Sequence, residues 1–202
     1  AASDVYKRQV VWPEEPSILY FRKGKRNMGM SFESVVFHRP AGEAWQTLQP
    51  KLEELLQAYG LGPVYESSDG TSGVVYDTEM SAEEDMPELV CAVSALTGGT
   101  AIGAVCLDSD FVGVVLARNG EQMDMGYIGV PYGAEEEEGL ELHTEQWLPL
   151  LTRPEDAAAL EDCLHGGFVL AEDQLRTLSR LIGLPVLDDD ILTQYLEEFE
   201  DF

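Results

Sequence analysis

The chain of 202 residues carries 38 acidic and 12 basic side chains, a formal net charge of −26, and 45% of its residues are hydrophobic. That hydrophobic fraction excludes wholesale disorder, and because no apolar run approaches the roughly 18 residues of a membrane span, we expect no membrane segment. A chain this acidic repels phosphate backbones, so we expect no nucleic-acid binding and predict a basic protein partner instead.

The N-terminal part differs in charge from the rest, because residues 1–51 hold 8 of the 12 basic side chains. A basic cluster at residues 22–26 stands just before Met28 and Met30 and can be encoded by purine-only codons, as in a ribosome-binding site. Residues 1–9 resemble translated sequencing adapter. We therefore predict that residues 1–27 are a non-native leader and that the native start is Met28 or Met30. The alternative is a basic arm for nucleic acid or a membrane surface.

The first predicted elements are a strand and a helix. Residues 34–39 predict the strand, and apolar residues at steps of three and four over residues 45–59 predict one face of the helix. Pro50 should kink this helix or start a new one, because proline lacks the N–H and clashes with the preceding turn.

A hairpin and a second helix are predicted next. Residues 64–66 and 73–77 are two short strand signals separated by turn-forming residues. Asp85 is predicted to cap the following helix through its side chain, and Gly98 is predicted to end it.

Three consecutive strands follow. Residues 101–107 are nearly all apolar, as expected of a central strand that is covered on both faces. Residues 111–117 predict the next strand. The Asn119-Gly120 pair predicts a tight turn into a third strand over residues 121–128, where polar and apolar residues alternate.

The composition changes at Pro131, and everything beyond it predicts helices. A short helix is expected around Trp147, another opening at Pro154, a third over residues 172–182 and a last one over residues 188–199.

The order β-α-β-β-α-β-β-β followed by helices predicts an α+β fold. We expect a mixed or mainly antiparallel sheet of about five or six strands with helices packed on it, followed by a helical C-terminal part. The predicted division is a leader at residues 1–27, an α+β sheet domain at 28–130 and an acidic helical part at 131–202 packed on that domain.

Clustered carboxylates suggest a metal site as one alternative. Asp108, Ser109, Asp110 and Gly113 begin like a calcium-binding loop, but Asn119 stands where the bidentate glutamate should be. We predict a turn here and no metal ligands. A metal-dependent enzyme that uses Asp108 or Asp110 stays as the alternative function.

Neither catalytic nor cofactor-binding residues are predicted. The three histidines lack the spacing of a metal pair, and no nucleophile elbow or phosphate loop is present. Three cysteines without CxxC spacing predict neither a disulfide framework nor a zinc site, so a reduced cytoplasmic location fits best. We expect apolar surroundings to keep Cys91 and Cys106 inert.

Three segments carry a resemblance to a known class of proteins. Residues 108–110 and 118–121 are turn signals of hairpins, and residues 172–185 are a helix followed by a stop signal. In these the chain resembles small bacterial proteins similar to the immunity proteins of polymorphic toxin systems. The resemblance implies a small, acidic, cytoplasmic α+β domain without catalytic motifs. It assigns no functional residue.

The leading functional hypothesis is a non-enzymatic acidic binding protein that neutralises a basic partner such as a toxin. An uncharacterised housekeeping or interaction role is a further alternative. The last helix should bury its apolar stripe and leave its acidic side in water. The predicted partner-binding residues are Glu135, Glu136, Glu137, Glu138, Glu197, Glu198, Glu200 and Asp201.

Overall fold

The computed structural model describes residues 29–129 and 141–199, apart from residues 41, 43 and 69. The predicted leader at residues 1–27 and the boundary at Pro131 therefore lie outside the described residues. The same holds for six of the eight acids predicted to bind a partner, namely Glu135, Glu136, Glu137, Glu138, Glu200 and Asp201.

Strands and two helices make up the first part of the described chain. The strands are β1 (Phe32–His38), β2 (Tyr65–Glu66), β3 (Ser72–Asp77), β4 (Thr100–Leu107), β5 (Phe111–Arg118) and β6 (Glu121–Tyr127). The helices are α1 (Trp45–Gln57) and α2 (Met86–Thr97). Each of these elements falls within a few residues of its sequence prediction.

The chain after residue 141 is helical. It contains α3 (Thr144–Trp147), α4 (Ala157–His165), α5 (Ala171–Ile182) and α6 (Asp189–Phe199), with short 3₁₀ turns at Leu148–Leu150 and Pro154–Asp156. None of the helices in the described part of the chain has the length and the apolar character that crossing a bilayer requires.

The six strands form one antiparallel sheet in the order β2-β3-β1-β4-β5-β6. The predicted α+β fold is therefore confirmed, in its antiparallel form. Asn119 and Gly120 turn β5 into β6 with φ values of 52° and 86°. A type I′ turn requires positive φ at both of these positions, which is why this pair suits it.

Helices α1 and α2 cover one face of the sheet. Their apolar sides join alternate strand residues in a single buried cluster, which includes Val35, Leu48, Leu52, Val75, Leu89, Val90, Val93, Val105 and Val115. Helix α2 approaches β4 closely at Gly103, where a Cβ atom would lie 2.5 Å from Val90 Cγ2 and 2.6 Å from Met86 Sδ.

The C-terminal helices cover the opposite face. Strand residues that point the other way share a second cluster with α3 to α6, which includes Val36, Ile102, Val114, Leu116, Trp147, Leu160, Leu164, Leu175 and Leu178. The central strands are therefore buried on both faces, and this accounts for the nearly unbroken apolar sequence of β4.

Two local expectations differ from the structure. Pro50 does not start a new helix, because α1 continues through it as one element. Both Pro50 and Gln46, whose carbonyl loses its partner to the proline, are exposed to water. Asp85 precedes α2 but makes no capping hydrogen bond through its side chain. Asp188 does cap α6, because its Oδ1 accepts the amides of Asp190 and Ile191 at 3.1 Å each.

The close approach of α2 to β4 makes a testable prediction. The substitution Gly103→Ala should destabilise the protein by about 1–3 kcal/mol, because the new methyl group overlaps Val90 on the helix. Gly99→Ala is the matched control. The nearest atom to its Cβ lies at 4.0 Å, so a change within about 0.5 kcal/mol is expected. Chemical denaturation measures both, and equal stabilities would contradict the packing described.

Candidate functional site

Helix α6 presents its predicted acids to water. Glu197 and Glu198 are exposed, whereas Ile191, Leu192 and Tyr195 on the other side of the helix are buried, as expected. Glu198 Oε2 accepts a hydrogen bond from the Tyr65 hydroxyl at 2.9 Å. These two glutamates are the members of the predicted partner-binding set that the structure describes.

The sheet register gathers further carboxylates at one end of the sheet. β3 ends at Asp77, directly opposite Glu33 near the start of β1, and Phe32 lies opposite Cys106 near the end of β4. The segment after β3 and the turn after β4 therefore flank the same strand, roughly 10 Å apart at two strand spacings. We call the carboxyl groups of residues 77–88 and 107–111 the acidic end: Asp77, Glu79, Glu83, Glu84, Asp85, Glu88, Asp108 and Asp110.

The acidic end contains no balancing cation within its own segments. Residues 29–33, 77–88 and 107–111 are all described and include no Lys or Arg. Burial raises the pKa of the nearby Tyr59 hydroxyl, and the charges of Glu88 and Asp85 raise it further. Two carboxyl groups of the acidic end therefore lie close enough to this hydroxyl to act on it electrostatically.

Tyr195 connects α6 to the acidic end. Its hydroxyl lies 3.4 Å from both the Thr78 amide and Asp77 Oδ1. Glu198 follows one turn later on the same helix. The exposed acids at the end of α6 therefore border the acidic end.

The predicted turn at Asp108 and Asp110 has the geometry of a tight hairpin turn. Asp108 and Ser109 have φ values of 51° and 60°, and the Asp110 amide donates to the Leu107 carbonyl at 3.0 Å. Within the described ranges, His, Cys, Asp and Glu side chains do not form any group of three or more that could hold a metal ion.

A second constellation, which the sequence did not predict, lies between β6 and α3. Asp124 is buried and accepts three hydrogen bonds: from the His143 amide at 2.8 Å, from the Trp147 indole at 2.8 Å, and through a contact with His143 Nδ1 at 2.9 Å. The hydrogen bond and the charge of Asp124 raise the pKa of the His143 imidazole. The buried carboxylate thus orients an exposed imidazole.

Polar residues extend this constellation towards α4. Thr144 Oγ1 lies 3.0 Å from His165 Nε2 and also contacts Glu161, while His165 Nδ1 lies 3.8 Å from Glu141. The Thr144 hydroxyl donates to the Glu161 carboxylate, so its proton is directed away from the imidazole that could act as a base. The geometry is that of a structural network joining α3 to α4.

Cysteine chemistry is suppressed by burial. Burial raises the pKa of the Cys106 thiol to about 12 and that of the Cys163 thiol to about 11. The pKa of the half-buried Cys91 thiol is raised as well, by burial and by Glu88. These thiols stay protonated at neutral pH, when they are poor nucleophiles.

Comparison with known proteins gives no relative from which a role could be carried over. No family model matches the chain, and no curated protein and no solved structure matches it either.

The Asp124 constellation makes a prediction about pH. Because the pKa of His143 is raised in the folded state, its ion pair with Asp124 stabilises the fold fully below the ordinary imidazole pKa of about 6.5. This contribution is lost as pH rises through the raised pKa of the folded state. Asp124→Asn should therefore lower the pKa of His143 in an NMR titration. It should also cost roughly 1–3 kcal/mol of stability, because the neutral amide is a weaker acceptor for the Trp147 indole and offers no second acceptor oxygen to the His143 imidazole.

The control for this titration is Asp162→Asn, which changes an exposed aspartate on α4. It should leave the pKa of His143 in place. A His143 pKa that is the same in the wild type and in Asp124→Asn would show that Asp124 does not control the imidazole.

Proposed function

We propose that this protein is a non-enzymatic acidic binding protein that captures a basic protein partner at the acidic end. The observation that carries the proposal is the convergence of eight carboxyl groups, from two segments that contain no Lys or Arg, at one end of the sheet. Glu84, Asp85, Glu88 and Asp110 among them are exposed and so can contact a partner.

Charge complementarity determines the kinetics of such a complex. A cationic partner is steered towards a concentrated negative surface, which raises the association rate, and the steering weakens as salt shortens the range of the field. Dispersed surface charges would support solubility equally well, so the clustering is the feature that favours binding over solubility alone.

The way the backbone that carries these carboxylates is held in place also favours binding. They follow strands that are buried on both faces, and the amides of Glu79 and Ser81 are held by the Asp77 carboxylate at 3.1 and 2.8 Å. A surface held in place by its scaffold loses little conformational entropy when a partner docks. Glu197 and Glu198 of α6 extend the same surface at its border.

The partner class we propose is a nuclease toxin, which would make the protein one of the immunity type. Proteins that bind nucleic acids do so through clustered Lys and Arg side chains on phosphates. A surface of exposed carboxylates, whose own segments at residues 77–88 and 107–111 contain no Lys or Arg, complements such a site and competes with the phosphate backbone for it.

Charge reversal at the acidic end tests the proposal. The triple variant Glu84→Lys, Glu88→Lys and Asp110→Lys should slow association with a basic nuclease domain by at least about tenfold at low salt, measured by surface plasmon resonance on a panel of such domains. The wild-type rate should fall steeply as NaCl increases from about 50 to 300 mM. Glu197→Lys with Glu198→Lys should slow association less strongly, since these acids lie at the border.

The matched control reverses three exposed acids elsewhere, Glu121→Lys, Glu145→Lys and Glu155→Lys, with the same change in net charge. If this control slows association as much as the triple variant, then net charge and not the acidic end governs capture. If no basic nuclease domain of the panel binds the wild type at low salt, the proposed partner class is wrong.

A further inference from the structure

A glutamate lies buried directly beneath the acidic end. Glu33 on β1 is 1% exposed, and its Oε1 accepts the amide of Ala82 at 2.8 Å. Its Oε2 is buried and receives no hydrogen bond from an N–H or hydroxyl group of the described residues, and the polar group nearest to Glu33 across the strands is the Asp77 carboxyl group. A buried ionised carboxylate requires donors on both oxygens, so this environment favours the neutral acid.

The groups around Glu33 oppose its ionisation. Asp77 of β3 lies directly opposite it, and Glu83 in the segment before α2 adds a second negative charge nearby. On the other side, β4 places the apolar Val105 opposite Glu33. From α6, the Tyr195 hydroxyl reaches the pair through Asp77. Like charges directly opposite each other on neighbouring strands are destabilising.

Asp77 is the more fully hydrogen-bonded member of the pair. Its two oxygens accept the amides of Glu79 and Ser81, and the Tyr195 hydroxyl lies within 3.4 Å. Glu33 has the single amide of Ala82. The fewer donors at Glu33 favour the neutral acid there, and both members of the pair hold backbone amides of residues 79–82.

We infer that Glu33 is a proton-dependent latch, which holds the segment at residues 78–85 against the sheet when its carboxyl group is protonated and releases the segment when the proton leaves. The segment carries Glu79, Glu83, Glu84 and Asp85, so the latch controls the position of half of the acidic end.

The pH range in which the latch acts follows from linkage. Burial, with the charges of Asp77 and Glu83, raises the pKa of Glu33 from 4.5 to about 8 in the closed state. In an open state exposed to water the pKa returns towards its ordinary value of about 4.3. The open state thus binds fewer protons between these values, and opening becomes roughly tenfold more favourable for each pH unit from about 5 to 8 and levels off above 8.

The latch itself stands on the geometry of Glu33 and Asp77 and does not depend on a partner. Its consequence for docking rests on the proposed function. A basic partner that recognises the closed segment should bind more weakly as pH rises from about 6 to 8, a range in which surface carboxylates are already ionised.

The experiment compares the wild type with Glu33→Gln, which retains an acceptor for the Ala82 amide but cannot ionise. Hydrogen exchange of residues 78–85, expressed as protection factors relative to β4 amides, is measured from about pH 5 to 9. In the wild type, protection of this segment should fall with pH up to about 8. In Glu33→Gln it should stay level. Infrared spectra of the wild type at pH 7 should show the band of a protonated carboxylic acid, and Glu33→Gln should lack it.

Glu172→Gln is the matched control, because Glu172 is also buried with one oxygen lacking a partner among the described residues, but its other oxygen accepts the Ser109 hydroxyl instead of an amide of residues 78–85. It should leave the pH dependence of residues 78–85 unchanged. If Glu33→Gln does not fold, the carbon resonance of the Glu33 carboxyl group in the wild type decides. A titration midpoint above about pH 6 supports the latch, and a midpoint at or below about 6 overturns it.

The same pH dependence of protection in the wild type and in Glu33→Gln would also overturn the latch. None of these measurements uses a partner, so their failure leaves the proposed function standing. Conversely, the absence of any basic partner would remove the docking consequence and leave the latch intact.

Discussion

A sheet whose central strands are apolar on both faces requires a cover on both sides, and the rest of the structure follows from this requirement. Exposing the residues of β1, β4 and β5 on either face would cost about 25 cal/mol for each Å² of apolar surface. Helices α1 and α2 supply one cover, and the helices after residue 141 supply the other. The C-terminal helices are therefore integral to the fold, because without them half of the sheet core would face water.

The buried polar groups fix how the second cover sits on the sheet. Ser34 donates to the Val186 carbonyl at 3.0 Å, the Asp188 amide donates to the Tyr76 hydroxyl at 2.6 Å, and Asp124 accepts the Trp147 indole at 2.8 Å. Each bond joins a strand to the C-terminal helices or to the segment between them, far along the chain. Apolar contact alone would allow the helices to slide, whereas buried donors and acceptors must find their partners, and this favours one arrangement.

The sequence predicted the elements whose signals are local. The apolar run of β4 indicated burial on both faces, the Asn119-Gly120 pair fixed the β5–β6 turn, and Gly183 stands after α5 with a φ of 66°. These features depend on neighbouring residues alone, so a single sequence suffices. The capping prediction at Asp85 failed because residue type alone does not determine backbone conformation. The backbone angles of Asp85 (φ −99°, ψ 2°) differ from the extended conformation that lets a capping side chain reach the helix amides.

The Asp124 constellation and the acidic end were beyond that reasoning because they depend on pairs of residues that are far apart in the chain. Asp124 alternates with apolar neighbours on β6, but a register irregularity between Leu116 and Ala117 interrupts the regular pairing, and the donors that it meets come from residues 143 and 147. The acidic end was missed for the same reason. Each of its segments looks like an ordinary solvated turn, and only the strand order places them side by side.

The burial of Glu33 beneath the acidic end is a feature that a requirement for solubility alone does not explain. Solubility is served by carboxylates in water and gains nothing from a carboxyl group that is buried opposite Asp77. A glutamine would fill the same space and accept the same Ala82 amide without the cost of burying an ionisable group, so the glutamate is not explained by packing. Residues that lower stability in this way are tolerated where function requires them. Glu33 lies on β1, the strand that the two segments of the acidic end flank. The buried carboxyl group therefore lies directly beneath the exposed ones.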